Sequence, residues 1–231
     1  MTTILLTGST RGIGAACFDA LTAAGARVIG HGTRSGIAAD LSDPAAPQRL
    51  WAEALAQAGG RIDVLVNNAG VFEATPLEGD HDTWVAGWER TMRINLTASA
   101  ELSRLAVLHW RETNGGRLVN VASRAAYRGD SPQHWHYAAS KAGMVAMTKT
   151  IARGYAADGV LAFAVCPGFT MTGMAEDYLA SRGGEKLLAD IPLGRVADPA
   201  EVADVIRFCA LDAPASMTGA VLDVNGASYV R

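Results

Sequence analysis

The chain has 231 residues, of which 49% are hydrophobic and 19% charged, with 25 glycines and a net charge of −3. That balance fits a compact α/β protein rich in tight turns and excludes a disordered one. The slight acidity, without any basic cluster, argues against nucleic acid or an anionic membrane as partner, and no apolar run reaches the roughly 18 residues of a membrane span.

Met1 to Gly8 run straight into a short apolar strand with no positive leader, so export is not expected and a cytoplasmic location is. Cys17, Cys166 and Cys209 are odd in number, far apart and set among apolar residues, which reads as reduced, buried thiols. His134-x-His136 has metal-like spacing but lacks a cysteine or carboxylate partner beside it, so no metal site is expected.

The first predicted strand, Thr3–Leu6, ends in Thr7-Gly8-Ser9-Thr10-Arg11-Gly12-Ile13-Gly14, which opens a helix over Ile13–Ala24. At such a junction Gly8 permits a tight turn and Gly12 lets backbone amides approach a pyrophosphate. Gly14 lets the helix pack closely on the sheet, and the helix N-terminus attracts the phosphates. A second strand, Ala26–Gly30, is followed by His31-Gly32-Thr33-Arg34. A carboxylate here would accept from a ribose 2′-hydroxyl and repel a 2′-phosphate. None is present; Arg34, Arg11 and Thr33 offer two guanidinium groups and a hydroxyl to a phosphate instead, which favours NADP(H) over NAD(H).

The stretch His31–Asp40 is too short for a crossover helix, so a loop with one turn is expected there. A helix over Pro44–Ala58, a strand over Val64–Asn67 and a long helix over Trp84–Asn114 follow. That long helix has more apolar positions than one buried face needs, including Trp88, Leu105, Leu108 and Trp110. The strand Gly116–Val121 leads to Ser123, and the next helix, Tyr137–Ala157, carries Tyr137 and Lys141 four residues apart on one face. An ammonium about 4 Å from a phenol, at an effective dielectric of about 20, contributes roughly 4 kcal/mol, or about three pKa units. That would bring the tyrosine towards working pH as an acid–base group. A strand over Ala162–Cys166, a substrate flap at 172–191, a helix over Pro199–Leu211 and a strand over Val221–Val224 complete the chain. Alternating strands and helices predict a doubly wound Rossmann fold: three layers around a parallel sheet of about seven strands, in one domain spanning 1–231.

Together these motifs resemble the short-chain dehydrogenase/reductase family over essentially the whole chain. They are Thr7-Gly8-x-x-x-Gly12-Ile13-Gly14, Asp40-Leu41, Asn67-Asn68-Ala69-Gly70, Asn95, Ser123, Tyr137-x-x-x-Lys141 and Pro167-Gly168-x-x-x-Thr172. The resemblance implies that Asp40 and Leu41 flank the adenine, Asn68, Ala69 and Gly70 the adjacent ribose, and Pro167 and Gly168 the nicotinamide. Thr170 and Thr172 would lie near the carboxamide. Lys141 would bind the nicotinamide ribose, Ser123 the substrate carbonyl and Asn95 a water in the proton path, with Tyr137 as proton donor. Catalytic Asn95, Ser123, Tyr137 and Lys141 would then interconvert a small-molecule carbonyl and a secondary alcohol. A homotetramer is implied as well. The alternatives are an NAD-linked dehydrogenase of a sugar, steroid or cyclic diol, and a dinucleotide-binding protein without turnover, for which a broken catalytic set would speak.

The carboxyl end, Pro192-Leu193-Gly194-Arg195 followed by Leu222-Asp223-Val224-Asn225-Gly226-Ala227, resembles the 3-oxoacyl-acyl-carrier-protein reductases, whose surface basic residues receive an acidic carrier. Thr113-Asn114-Gly115-Gly116 and Ala157-Asp158-Gly159 stand at those places here, which argues against an acyl carrier protein as partner. The loop from Ser123 to Tyr137 carries Arg124, Arg128, Asp130, His134, Trp135 and His136. The aromatic side chains could line a pocket and either arginine could pair with a carboxylate; equally, the arginines could support the loop or a subunit contact.

Overall fold

The computed structural model describes residues 1–171 and 188–231; Thr172 and most of the expected flap lie outside them. Seven strands form one sheet: β1 (Thr3–Leu6), β2 (Arg27–Gly32), β3 (Ile37–Ala38), β4 (Val64–Asn67), β5 (Gly116–Val121), β6 (Val160–Pro167) and β7 (Val221–Val224). Their order is β3-β2-β1-β4-β5-β6-β7 and every pairing is parallel. The chain reverses direction across the sheet between β1 and β4, and the carboxyl ends of those strands open the crevice where ligands bind in such sheets.

Alternation along each strand fills both faces. Leu5, Leu65 and Leu118 face one core, packed beneath α2 (Ala46–Gln57), α4 (Ala98–Glu112) and α6 (Trp135–Tyr155). Ile4, Leu6, Val64, Val66 and Val119 face the other, beneath α1 (Gly12–Ala23) and α7 (Pro199–Arg207). A central strand buried on both sides must read as a continuous apolar run, which is what Val64-Leu65-Val66 does.

Three differences from the sequence reading have physical causes. The expected loop at His31–Asp40 contains a two-residue strand, β3, whose pairing to β2 runs from His31 to Ile37 and from Gly32 to Ala38. The single long helix divides into α3 (His81–Met92) and α4 around a π-helical turn at Arg93–Thr97. Asp80 starts α3 by accepting from the Thr83 amide at 2.9 Å. Trp110 does not belong to a second apolar face: it is fully buried and its indole N–H donates to the Ile62 carbonyl at 2.8 Å. Leu108 is the exposed residue of that group. No helix among the described residues is long and apolar enough to cross a membrane.

Candidate active site

The glycine loop is built for close approach of backbone to backbone. Gly8 sits at φ +66°, and a Cβ on Gly14 would lie 1.9 Å from the Gly8 carbonyl oxygen. Arg11 caps α1 without any side-chain hydrogen bond to the helix, and the first turn carries no acidic residue. The opening amides of α1 therefore present donors and a positive dipole end to an anion. Thr10, Arg11 and Arg34 are exposed, as is Thr33, while Gly12 and Ile13 are half-buried.

Neighbouring segments clamp this loop. Thr7 Oγ1 accepts from the amides of Asn68 and Ala69 at 2.9 and 3.0 Å, and Asn68 Nδ2 donates to the carbonyls of Thr7 and Gly8, both at 3.0 Å. The Asn68 side chain thus holds the glycine loop, so that what Asn68–Gly70 would offer a ribose is chiefly backbone. His31 bridges the other side. Its Nδ1 accepts from the Gly8 amide at 3.2 Å and its Nε2 lies 3.0 Å from the Ala39 carbonyl. One ring nitrogen accepting and the other donating fixes a neutral imidazole, and burial lowers its pKa further. Sequence reasoning missed Thr7 and His31 as site residues; a polar side chain at the end of an apolar strand was the available signal. Asp40 spends its carboxylate on the Ser42 amide and hydroxyl, and Leu41 is buried in the core, so what both offer an adenine is chiefly backbone.

At the catalytic end, Ser123 lies near enough to the Tyr137 phenol for its side chain to favour the phenolate. Ser123 Oγ accepts from the Ala125 amide at 3.1 Å, which fixes its rotamer at the carboxyl edge of β5. Burial pushes Tyr137 up to about 12, with the Ser123 hydroxyl pulling the other way. Lys141 is buried, and burial lowers it to about 8. Its Nζ donates to the Val121 carbonyl at 2.8 Å and lies 5.8 Å from the centroid of the Tyr137 ring. The direct ammonium–phenol effect expected from the helical spacing is therefore not present: the lysine's bond goes to a strand carbonyl, and desolvation dominates the phenol.

Asn95 lies in the π-helical turn and is fully buried. Its Oδ1 accepts from the Val71 amide at 2.8 Å, while Nδ2 donates to the Val71 carbonyl at 3.0 Å and to Ser140 Oγ at 3.3 Å. The side chain clamps the segment after β4 onto α6, and its amide hydrogens are taken. Gly70 lies against this clamp, where an added Cβ would sit 3.2 Å from Asn95 Oδ1 and 3.6 Å from Lys141 Nζ. Beyond β6, Gly168 donates to the Val224 carbonyl at 2.9 Å, and Thr170 Oγ1 donates to the Gly168 carbonyl at 3.2 Å. Pro167, Gly168 and Thr170 thus form a fixed edge.

One wall of the site is aromatic. Phe72 stacks on His134 with centroids 3.8 Å apart and meets Tyr137 edge-on at 4.8 Å. His136 is anchored by Thr75 Oγ1 at 2.7 Å, and Trp135 stays exposed. Phe72 carried no signal in the sequence, since its role depends on a loop folding back over α6. Arg128 supports the loop, reaching Asp190 at 2.7 Å and the Ser228 carbonyl at 3.0 Å.

Strand order, a free helix N-terminus behind Gly8 and Gly14, and a Ser–Tyr–Lys set at the same edge define an NAD(P)-dependent oxidoreductase. The chain belongs to the short-chain dehydrogenase/reductase family. The family model described as enoyl-(acyl carrier protein) reductase matches residues 8–227. The 3-oxoacyl-[acyl-carrier-protein] reductase FabG of Vibrio cholerae is 34% identical, over 98% of this chain and 96% of the relative. FabG of Escherichia coli is 32% identical over the same shares. Among solved structures, a putative NAD(P)-dependent gluconate 5-dehydrogenase from Beutenbergia cavernae with bound NADP is 32% identical. It has a TM-score of 0.89 and the match covers 97% of this chain and 95% of that one.

Proposed function

We propose that the chain is an NADP(H)-dependent carbonyl reductase and alcohol dehydrogenase in which Tyr137 handles the proton. The observation that carries this reading is the placement of Ser123 close to the Tyr137 phenol, beside a buried Lys141 at the carboxyl edge of the sheet. When bound, the dinucleotide supplies or accepts the hydride. The α1 amides and Gly8–Gly14 would hold its phosphates, Pro167 and Gly168 its nicotinamide, and Lys141 its ribose. Ser123 Oγ orients the substrate oxygen. Tyr137 Oη gives a proton to that oxygen during reduction and takes one back during oxidation. Phe72 and His134 close the apolar side against water.

The raised tyrosine and lowered lysine set the pH dependence. Reduction uses the phenol as acid and the ammonium as donor to the nicotinamide ribose, and both are protonated below about 8. Ketone reduction should hold level up to that pH and then fall by about tenfold per unit as Lys141 loses its proton. A steady-state pH profile checks this, and a reduction rate rising above pH 8 would contradict it.

For the cofactor, Arg34 and Arg11 are exposed at the end of β2 and in the glycine loop, and no carboxylate stands at Gly32–Arg34. Arg34→Ala should raise KM for NADPH by about tenfold or more, the worth of one charged hydrogen bond, and leave KM for NADH unchanged. Equal changes for both cofactors would remove the phosphate role.

An acyl carrier protein is not part of the proposal, although the FabG relatives carry that substrate in their names. The cations near the two turns are neutralised: Arg111 pairs with Asp158 at 2.9 Å and Arg61 with Asp63 at 2.6 Å. The reading extends to a homotetramer, whose mass light scattering reads directly.

A further inference from the structure

Arg124 follows Ser123 directly, and its backbone amide donates to the Pro167 carbonyl at 2.9 Å. That bond seats the residue beyond the carboxyl ends of β5 and β6, on the edge that carries Ser123 and Gly168. Its side chain is nine-tenths buried, with the guanidinium carbon 5.1 Å from the centroid of the Phe169 ring. Among the described residues Nη1 finds no hydrogen-bond acceptor. Asp190 stands 3.5 Å from it, yet that carboxylate is bonded to Arg128 at 2.7 Å instead. Two guanidinium groups therefore face one carboxylate, and the more buried of them keeps a donor unused.

A buried guanidinium N–H without an acceptor is costly, and such groups persist where a ligand completes them. The fork of Arg124 fits a planar carboxylate. The stacked Phe169 removes water from one face, which strengthens any charge pairing there. Burial and Arg128 both act to lower the Arg124 pKa, with Asp190 and Asp130 opposing, so an added anion would be favoured electrostatically.

We propose that Arg124 anchors a carboxylate of the substrate, which makes the substrates keto acids and the products the matching hydroxy acids. Asp190 is the internal carboxylate that the substrate displaces from the arginine pair. The proposal rests on the oxidoreductase reading above. The carboxylate itself is unchanged in the reaction: hydride adds to the ketone carbon, the Tyr137 proton adds to its oxygen, and NADPH leaves as NADP⁺.

The test uses the full chain, NADPH and straight-chain keto acids with one to four carbons between ketone and carboxylate, each beside its neutral methyl ester. The wild type should prefer at least one acid to its ester. Arg124→Met should raise KM for that acid by about ten- to a hundredfold, while kcat/KM for the ester stays within about threefold. Asp190→Asn, which removes the internal competitor, should lower KM for the acid. A merely structural ion pair predicts the opposite, with both variants losing activity on acid and ester alike. That result, or an acid-to-ester ratio equal in wild type and Arg124→Met, overturns the proposal. If the wild type reduces no carbonyl, the oxidoreductase reading fails, and titration calorimetry with the keto acids decides the anion site alone. Binding lost in Arg124→Met supports it; absent or unchanged binding overturns it.

Discussion

Tyr137→Phe is expected to lower kcat for ketone reduction by about 10²–10⁴, the range for loss of a positioned general acid. The ring itself should stay in place. Phe keeps the edge-on contact with Phe72 at 4.8 Å, and losing the phenol's polar interaction with the nearby Ser123 should cost at most about 1 kcal/mol in stability. NADPH affinity should therefore change by less than about threefold, so the variant separates chemistry from folding and cofactor binding. Because desolvation raises the phenol to about 12, it is a reluctant acid before the cofactor binds. A variant that kept kcat within a factor of about three would remove Tyr137 from the proton path.

Gly14→Ala is expected to damage cofactor binding most. The new Cβ would lie 1.9 Å from the Gly8 carbonyl oxygen and 2.7 Å from Asn68 Nδ2. Neither atom can yield cheaply, because Asn68 Nδ2 is bonded to the carbonyls of Thr7 and Gly8 and the Gly8 amide is held by His31. Forcing the loop apart should cost about 1–3 kcal/mol, or more where backbone must move, and lower Tm by several degrees. It would also pull the glycine loop away from the α1 amides, so NADPH binding should weaken by about tenfold or more. Gly154→Ala is the matching control. An added Cβ there meets nothing within 4 Å, on the same kind of helical backbone, so stability should rise by up to about 1 kcal/mol. Differential scanning calorimetry with and without NADPH reads both effects.

Much of this architecture could be read from the residues, for reasons that vary by element. Strands such as Val64–Asn67 are short and apolar on both faces, so their pattern survives without any knowledge of neighbours. β3 was missed because two residues between Gly36 and Ala39 carry no period at all; only pairing with β2 defines it. The π-helical turn at Asn95 was only hinted at by a polar residue in mid-helix, since one extra residue per turn hardly disturbs an apolar stripe. At the site, spacing put Tyr137 and Lys141 on one helix face with Ser123 at the end of a strand, and in the fold Ser123 lies near enough to the phenol to act on its pKa. Spacing could not tell that Lys141 would choose the Val121 carbonyl. Nor could it tell that His31 would tie the glycine loop to Ala39, because both ties end on backbone atoms far away in sequence.

The central claim is that this edge of the sheet carries hydride from NADPH to a carbonyl carbon. It is tested most directly with NADPH deuterated at the transferable C4 position and a ketone that the protein turns over. Mass spectrometry of the alcohol should find one deuterium on the carbinol carbon, transferred from a single face of the nicotinamide. Alcohol formed without deuterium, or NADPH left unconsumed with every ketone and keto acid offered, would contradict the account.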